Sequence, residues 1–169
     1  SFGMAAQMTG LGAPREKVIT VPNGVGADIS AAHVRMAAAL RARPSSGPLK
    51  VLYLGRLDAQ KGLDRLAAVA AALREEPDRF VLRLVGGRIV DDPARAPELG
   101  AAIEPPVLDA DEIAELYAWA DVMILPSRYE GLPLAIIEAM TRRGVPIATD
   151  VGAVAEAIQS GEDGYVVPN

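Results

Sequence analysis

The sequence has no cysteine, one histidine, one tryptophan and two phenylalanines, and only three of its 17 cationic residues are lysine. Without cysteine there is no disulfide and no thiolate metal site. The lone His33 has no second imidazole with which to build a metal cluster, and its Ala-rich surroundings read as an exposed segment. A net charge of −5 gives nothing that suits nucleic acid as a partner. No apolar run approaches the roughly 18 residues a membrane span needs, and no signal peptide is visible, so the cytoplasm is the default compartment. An initiator methionine is lacking too. The chain opens in mid-pattern at Ser1-Phe2-Gly3 and stops at Val167-Pro168-Asn169, so both ends read as cut from something longer.

What is present is aliphatic. Half of the 169 residues are hydrophobic, mostly Ala, Leu, Val and Ile, and 4% are aromatic. That is enough chain for one domain with a sizeable core and room for an appendage, of a helix-rich α/β type packed with small side chains. The preference for arginine, beside so much Ala, Gly and Pro, is compatible with a G+C-rich coding sequence.

Residues 2 to 11 read as a weakly amphipathic helix closed by Gly10 and Gly12. Lys17 to Val21 alternates like a short strand and runs into the turn signal Pro22-Asn23-Gly24. Residues 30 to 42 are helical in composition, with Ser30 as N-cap. Arg43 to Pro48 (RPSSGP) reads as a linker and a domain boundary. From Leu49 the pattern becomes regular. Strands are expected at KVLYLG, at Arg79–Gly87, briefly at Ala102-Ile103, at DVMIL, at Val145–Thr149 and at GYVVP. Between them come helices over Leu63–Arg74, Pro93–Ala102, a segment capped by Asp109 or Asp111 and running to Trp119, Pro133–Arg142 and Gly152–Gln159. Near-continuous apolar strands alternating with helices predict a doubly wound parallel sheet covered on both faces. Ligands of such folds bind beyond the carboxyl ends of the strands, and the motifs that could carry chemistry fall there.

Gly55 to Gly62 (GRLDAQKG) follows the first of these strands. Gly55 admits a close backbone approach, while Arg56 and Lys61 put two cations on one loop, a fork and a point charge suited to phosphate. The same loop also reads as a solvated connection with Asp58 capping a helix. It is not a Walker A loop, and Gly86-Gly87 is a weak turn signal without a Gly-x-Gly-x-x-Gly pattern. Pro126 to Met140 (PSRYEGLPLAIIEAM) reads as strand end, loop and helix. Glu130 then lies in the loop, and Glu138, seven intervening residues later, lies on the helix. The amides of Gly131 and Leu132 sit near the positive helix end, where a phosphate is favoured. By spacing alone the pair reads first as a surface glutamate beside a solvent-facing one. In Asp150 to Ile158, Gly152 opens another helix at a strand end, and Glu156 reads as a helix-surface residue.

Together GRLDAQKG, LVGG, ADVMILPSRYEGLPLAIIEAM, GVPIATDVGAVAEAI and EDGYVVP resemble, in order and spacing, the retaining GT-B glycosyltransferases of the group 1 (family four) class. VPNGV, Val21 to Val25, resembles the crossing between that family's two domains. The resemblance covers nearly the whole chain and implies the Rossmann-like C-terminal half of a GT-B fold. Residues 1–46 would be the incomplete end of an N-terminal domain with its linker. Residues 47–169 would be the donor-binding domain, ending before the C-terminal crossover helix.

The activity implied is transfer of a sugar from a nucleoside-diphosphate sugar, such as a UDP- or GDP-sugar, to an acceptor in polysaccharide, lipid-sugar or glycoconjugate synthesis. No cofactor and no obligatory metal are implied. Catalytic roles fall to Glu130, Arg56 and Lys61. The donor is held by Gly55, Arg56, Lys61, Gly131, Leu132 and Glu138, with Arg56 and Lys61 on the diphosphate, Glu130 on the sugar hydroxyls and Glu138 on the ribose. The base would pack near Ile103 to Val107. The acceptor would bind to the N-terminal domain, so the 169 residues alone are expected to be inactive. The full-length enzyme would be cytoplasmic, with the inner membrane face open to it as a peripheral protein. Two departures stand out: Glu104-Pro105-Pro106 where the family commonly has glycine, and Gly26 where it commonly has aspartate. A nucleotide-sugar 2-epimerase or a non-catalytic nucleotide-sugar-binding module are the alternative readings.

Overall fold

The computed structural model describes residues 2–21, 47–87 and 99–169. The expectations for Pro22–Gly24, residues 30–42 with Ser30 and His33, Gly26 and Pro93–Glu98 lie outside them. Near the amino end a helix α1 (Phe2–Gly10) precedes a single 3-10 turn at Arg15–Lys17. The strand expected over Lys17–Val21 is not there. Val18 returns to extended backbone after the turn, but none of the sheet's strand pairs includes this segment. Alternation sets which way side chains point; only a neighbour's ladder of hydrogen bonds makes a strand.

The rest alternates as its apolar pattern requires. The elements are β1 (Leu49–Leu54), α2 (Leu63–Arg74), β2 (Phe80–Val85), β3 (Ile103–Glu104), α3 (Ala110–Trp119), β4 (Val122–Leu125), α4 (Leu134–Thr141), β5 (Val145–Thr149), α5 (Val154–Ala157) and β6 (Tyr165–Val167). All strand pairs are parallel, in the order β3-β2-β1-β4-β5-β6. Alternate residues of β1 serve opposite faces. Val51 and Tyr53 pack with Leu63 and Leu66 of α2. Leu52 packs on the other side with Tyr117 of α3 and Ile136 of α4. This two-sided cover is why the strands read as continuous apolar runs.

Helix boundaries follow local chemistry. Asp109, not Asp111, caps α3, its carboxylate accepting from the Asp111 and Glu112 amides at 3.0 Å. Pro133 stands at the N-cap of α4, one position before its expected place in the first turn. The expected helix over Gly152–Gln159 shortens to α5. Gly152 adopts φ +60° in the turn before it, and the Gln159 amide leaves the helix to donate to Asp163 Oδ1 at 2.7 Å. Leu99–Ala102 is irregular rather than helical, with Gly100 at φ +59°.

Candidate functional site

Strand order reverses between the neighbours β1 and β4. Connections leave an open α/β sheet in opposite directions at such a point, and a crevice opens beyond the strand ends. The loops Gly55–Gly62 and Pro126–Pro133 flank it.

Close backbone contacts key these loops together. A Cβ on Gly86 would lie 1.8 Å from the Gly55 carbonyl oxygen, and Gly86 adopts φ +150°. Gly62, at φ +72°, brings its own backbone so near Pro126 that a Cβ would lie 2.0 Å from that carbonyl oxygen. The Tyr53 hydroxyl donates to the Arg56 carbonyl. Asp58 does not cap α2, whose N-cap is Gly62; its carboxylate accepts from the Lys61 amide at 2.8 Å and shapes the loop instead.

Lys61 and Glu130 meet across the crevice, with Nζ 2.6 Å from Oε1. The Ser127 hydroxyl donates to the same oxygen at 2.7 Å. Ser127 is fully buried and Glu130 is 7% exposed. The Ser127 carbonyl in turn accepts from the Thr149 hydroxyl at the end of β5. A Cβ on Gly152 would lie 1.9 Å from the Glu130 carbonyl oxygen, and the Ala153 amide donates to Gly131 at 2.8 Å. The loop after β5 thus clamps the one that carries Glu130. Sequence reasoning missed Ser127 and Thr149 as site supports. Their signal was slight: polar hydroxyls at the carboxyl ends of apolar strands, where burial would require hydrogen-bond partners.

Arg56 stays at the rim. Its side chain is 53% exposed, 3.4 Å from Asp58 and 3.4 Å from Gln60 Oε1, while Gln60 Nε2 reaches the Tyr129 carbonyl at 3.4 Å. Contacts this long leave the guanidinium loosely held. Beside Glu130, the Gly131 amide has no hydrogen-bond partner among the described residues, and the place a Cβ would take there has nothing within 4 Å. Leu132 is half-buried next to it, just before α4.

Glu138 belongs to a second cluster. Tyr117, 1% exposed, donates its hydroxyl to Glu138 Oε2 at 2.9 Å. Arg142, a turn further along α4, lies 4.9 Å from the centre of the Tyr117 ring and donates to the Glu138 carbonyl at 3.2 Å. Burial, then the Glu138 carboxylate, push the Tyr117 phenol far above its ordinary range, so it is a permanent donor. Burial lowers Arg142, and Glu138 opposes that shift. The structure therefore joins Lys61 directly to Glu130, sets Arg56, Gly55 and Gly131 around them, and leaves Glu138 bonded to neither.

The departure at Glu104 is absorbed locally. Arg83 grips its carboxylate through two nitrogens, and that hydrogen bonding holds Glu104 below the usual carboxylate range. The Glu104 carbonyl still accepts from the Gly86 amide at 3.1 Å, so the strand edge is kept. Among the described residues no group of three or more His, Asp or Glu is placed to hold a metal ion, and no helix is long and apolar enough to cross a membrane.

A doubly wound sheet with cationic and acidic loops at its switch point defines a Rossmann-like domain of the kind found in the C-terminal half of GT-B glycosyltransferases. The profile of the family described as glycosyl transferases group 1 matches residues 48–169, and the chain belongs to that family. Glycogen synthase of Mycobacterium tuberculosis is 32% identical over 72% of this chain and 31% of its own length. The D-inositol 3-phosphate glycosyltransferase of Streptomyces bingchenggensis is 34% identical over 93% of this chain and 38% of its own. The chain thus spans about a third of the length of these relatives. Among solved structures, Anabaena HepE in complex with UDP and glucose superposes with a TM-score of 0.73 at 20% identity, over 99% of this chain and 48% of that one.

Proposed function

We propose that residues 47–169 form the donor-binding domain of a retaining glycosyltransferase, with residues 1–46 belonging to the end of its acceptor-binding half. The observation that carries this reading is the meeting of Lys61 with Glu130 at the switch point, beside a Gly131 amide that has no hydrogen-bond partner among the described residues. A nucleoside-diphosphate sugar needs cations for its diphosphate and acceptors for its hydroxyls, and this crevice offers both within one hydrogen bond. Arg56 and Lys61 take the diphosphate. As the bond from the anomeric carbon to the diphosphate oxygen breaks, negative charge grows on the leaving oxygens, and pre-placed cations stabilise it. Glu130, held by the Ser127 hydroxyl, accepts from sugar hydroxyls and fixes the ring relative to that bond. Glu138 accepts from the ribose. The diphosphate charge is met by these side chains without an obligatory metal. The names of the relatives, a glycogen synthase and a glycosyltransferase, support this reading over an epimerase or a binding-only module.

Calorimetry with UDP, GDP and ADP tests the donor site. Glu138→Ala is expected to weaken the best-bound nucleoside diphosphate about tenfold while leaving pyrophosphate binding unchanged, since one hydrogen bond to a charged group is worth roughly 1.5–3 kcal/mol. Equal losses for both ligands would remove the ribose assignment. The purified 169 residues are expected to bind nucleotide weakly and to transfer nothing, and transfer by them alone would overturn the division of labour.

Gly131→Ala is a sharper probe. Its φ is ordinary and its added methyl meets nothing within 4 Å, so the melting temperature is expected to stay where it is. If sugar phosphate occupies that space, nucleotide-sugar affinity falls about tenfold or more, because a methyl in a filled site forces the ligand off its contacts. Unchanged affinity would place the ligand elsewhere.

A further inference from the structure

We infer that Tyr117 is a positioning residue for Glu138: its buried hydroxyl ties up Oε2 and so turns Oε1 toward the ribose. The inference rests on the ribose assignment of Glu138 made above and goes beyond it, because Tyr117 lies on a different helix and would not touch the nucleotide.

A glutamate on a helix surface has several rotamers, and accepting a pair of vicinal hydroxyls requires one of them. Glu138 is half-buried on α4 and is followed a turn later by Arg142. The Tyr117 hydroxyl reaches Oε2 at 2.9 Å from α3, across the interface between the two helices. Oε1 has no partner among the described residues. One oxygen is therefore anchored and the other is on offer. Glu130 is arranged in the same way, with Ser127 and Lys61 both on its Oε1.

Arg142 explains why the anchor stays put. It is 5% exposed, its Nε finds no hydrogen-bond partner, and its guanidinium carbon stands 4.9 Å from the centre of the Tyr117 ring. A buried guanidinium with an orphaned donor is costly. Here the cation lies against the ring, which holds the phenol in place, and bonds the carbonyl of Glu138 itself. Packing alone would be better served by an aliphatic residue. An arginine at this point instead braces both the ring that carries the donor and the backbone that carries the acceptor.

The test measures affinities of UDP, GDP and ADP, their 2′-deoxy counterparts and pyrophosphate for the wild type, Tyr117→Phe, Glu138→Ala and the double variant. Phenylalanine keeps the ring and its contact with Arg142 and removes only the donor. Tyr117→Phe is expected to weaken the preferred ribonucleotide about three- to tenfold, to erase most of the preference for ribose over 2′-deoxyribose, and to leave pyrophosphate unchanged. Adding it to Glu138→Ala should change nothing further, as residues acting through one interaction are not additive. Wild-type affinities in Tyr117→Phe would overturn the inference. So would a loss shared equally by pyrophosphate, which marks a structural role or a misfolded variant. If Glu138→Ala also keeps full ribose preference, or if none of the nucleotides binds, the ribose assignment fails first and this inference falls with it. A Glu138 effect without a Tyr117 effect removes the positioning role alone.

Discussion

Replacing Lys61 by methionine is expected to lower stability and weaken donor binding together, whereas Lys61→Met combined with Glu130→Gln restores the first and not the second. The ammonium lies 2.6 Å from a carboxylate that is 7% exposed, and its own side chain is 18% exposed. Removing the cation leaves Glu130 buried with the Ser127 hydroxyl as its one remaining side-chain hydrogen-bond partner among the described residues. Stranding a largely buried charge costs about 3 kcal/mol. Neutralising both partners at near-constant volume removes that penalty, as buried ion pairs often exchange with uncharged residues at little cost. Thermal melts should show the single variant falling and the double variant recovering, while calorimetry shows nucleoside diphosphate affinity down by about a hundredfold in both. Recovered binding in the double variant would mean that Lys61 serves the fold alone.

The second large effect belongs to a residue with no side chain. Gly152→Ala puts a methyl 1.9 Å from the Glu130 carbonyl oxygen at a backbone φ of +60°. The left-handed conformation costs a non-glycine residue about 1–2 kcal/mol by itself. Overlap with a fixed carbonyl adds to that, for a total of about 3 kcal/mol or more. The melting temperature should drop by about 10 °C. Gly161→Ala is the control, since Gly161 has φ +90° with nothing within 4 Å of the added methyl, and only the conformational cost applies. The same change at Gly152 pushes on the backbone of Glu130, so donor binding in the surviving folded protein should weaken as well. Equal effects at the two glycines would show that the loops after β4 and β5 are not keyed together as the backbone contacts indicate.

Under the donor-site reading proposed above, these variants share a common meaning: each tests a grip on one part of a nucleotide sugar. Arg56 is the exception in its setting, because it is half-exposed and its side-chain contacts among the described residues are long. It is free to swing onto a ligand, while Lys61 is already committed to Glu130.

Much of the fold was legible from residue order. The apolar runs at Leu49–Leu54, Val122–Leu125 and Val145–Thr149 and the helical spacing over Leu63–Arg74 are local patterns, and each formed where expected. Local chemistry also named the Glu130 and Glu138 segment and the Arg56 and Lys61 loop as the places to look. Two local signals failed for want of the expected partner. Alternation in Lys17–Val21 had no partner strand, and Asp58 had a loop to shape instead of a helix to cap.

By itself, then, the sequence determined the α/β alternation and the residue types at the strand ends, because those depend on periodicity and composition within about a dozen positions, while the order of its motifs along the chain carried the resemblance to the family. Only the tertiary structure decided how the carboxylates are held. Lys61 and Glu130 are 69 positions apart, and Tyr117 and Glu138 are 21 apart. Which of them meet depends on the strand order that makes β1 and β4 neighbours and on the packing of α3 against α4. The glycine contacts that fix the crevice are likewise backbone against backbone. No residue-by-residue pattern carries them, since a glycine in a loop reads the same whether it faces solvent or another chain segment's carbonyl.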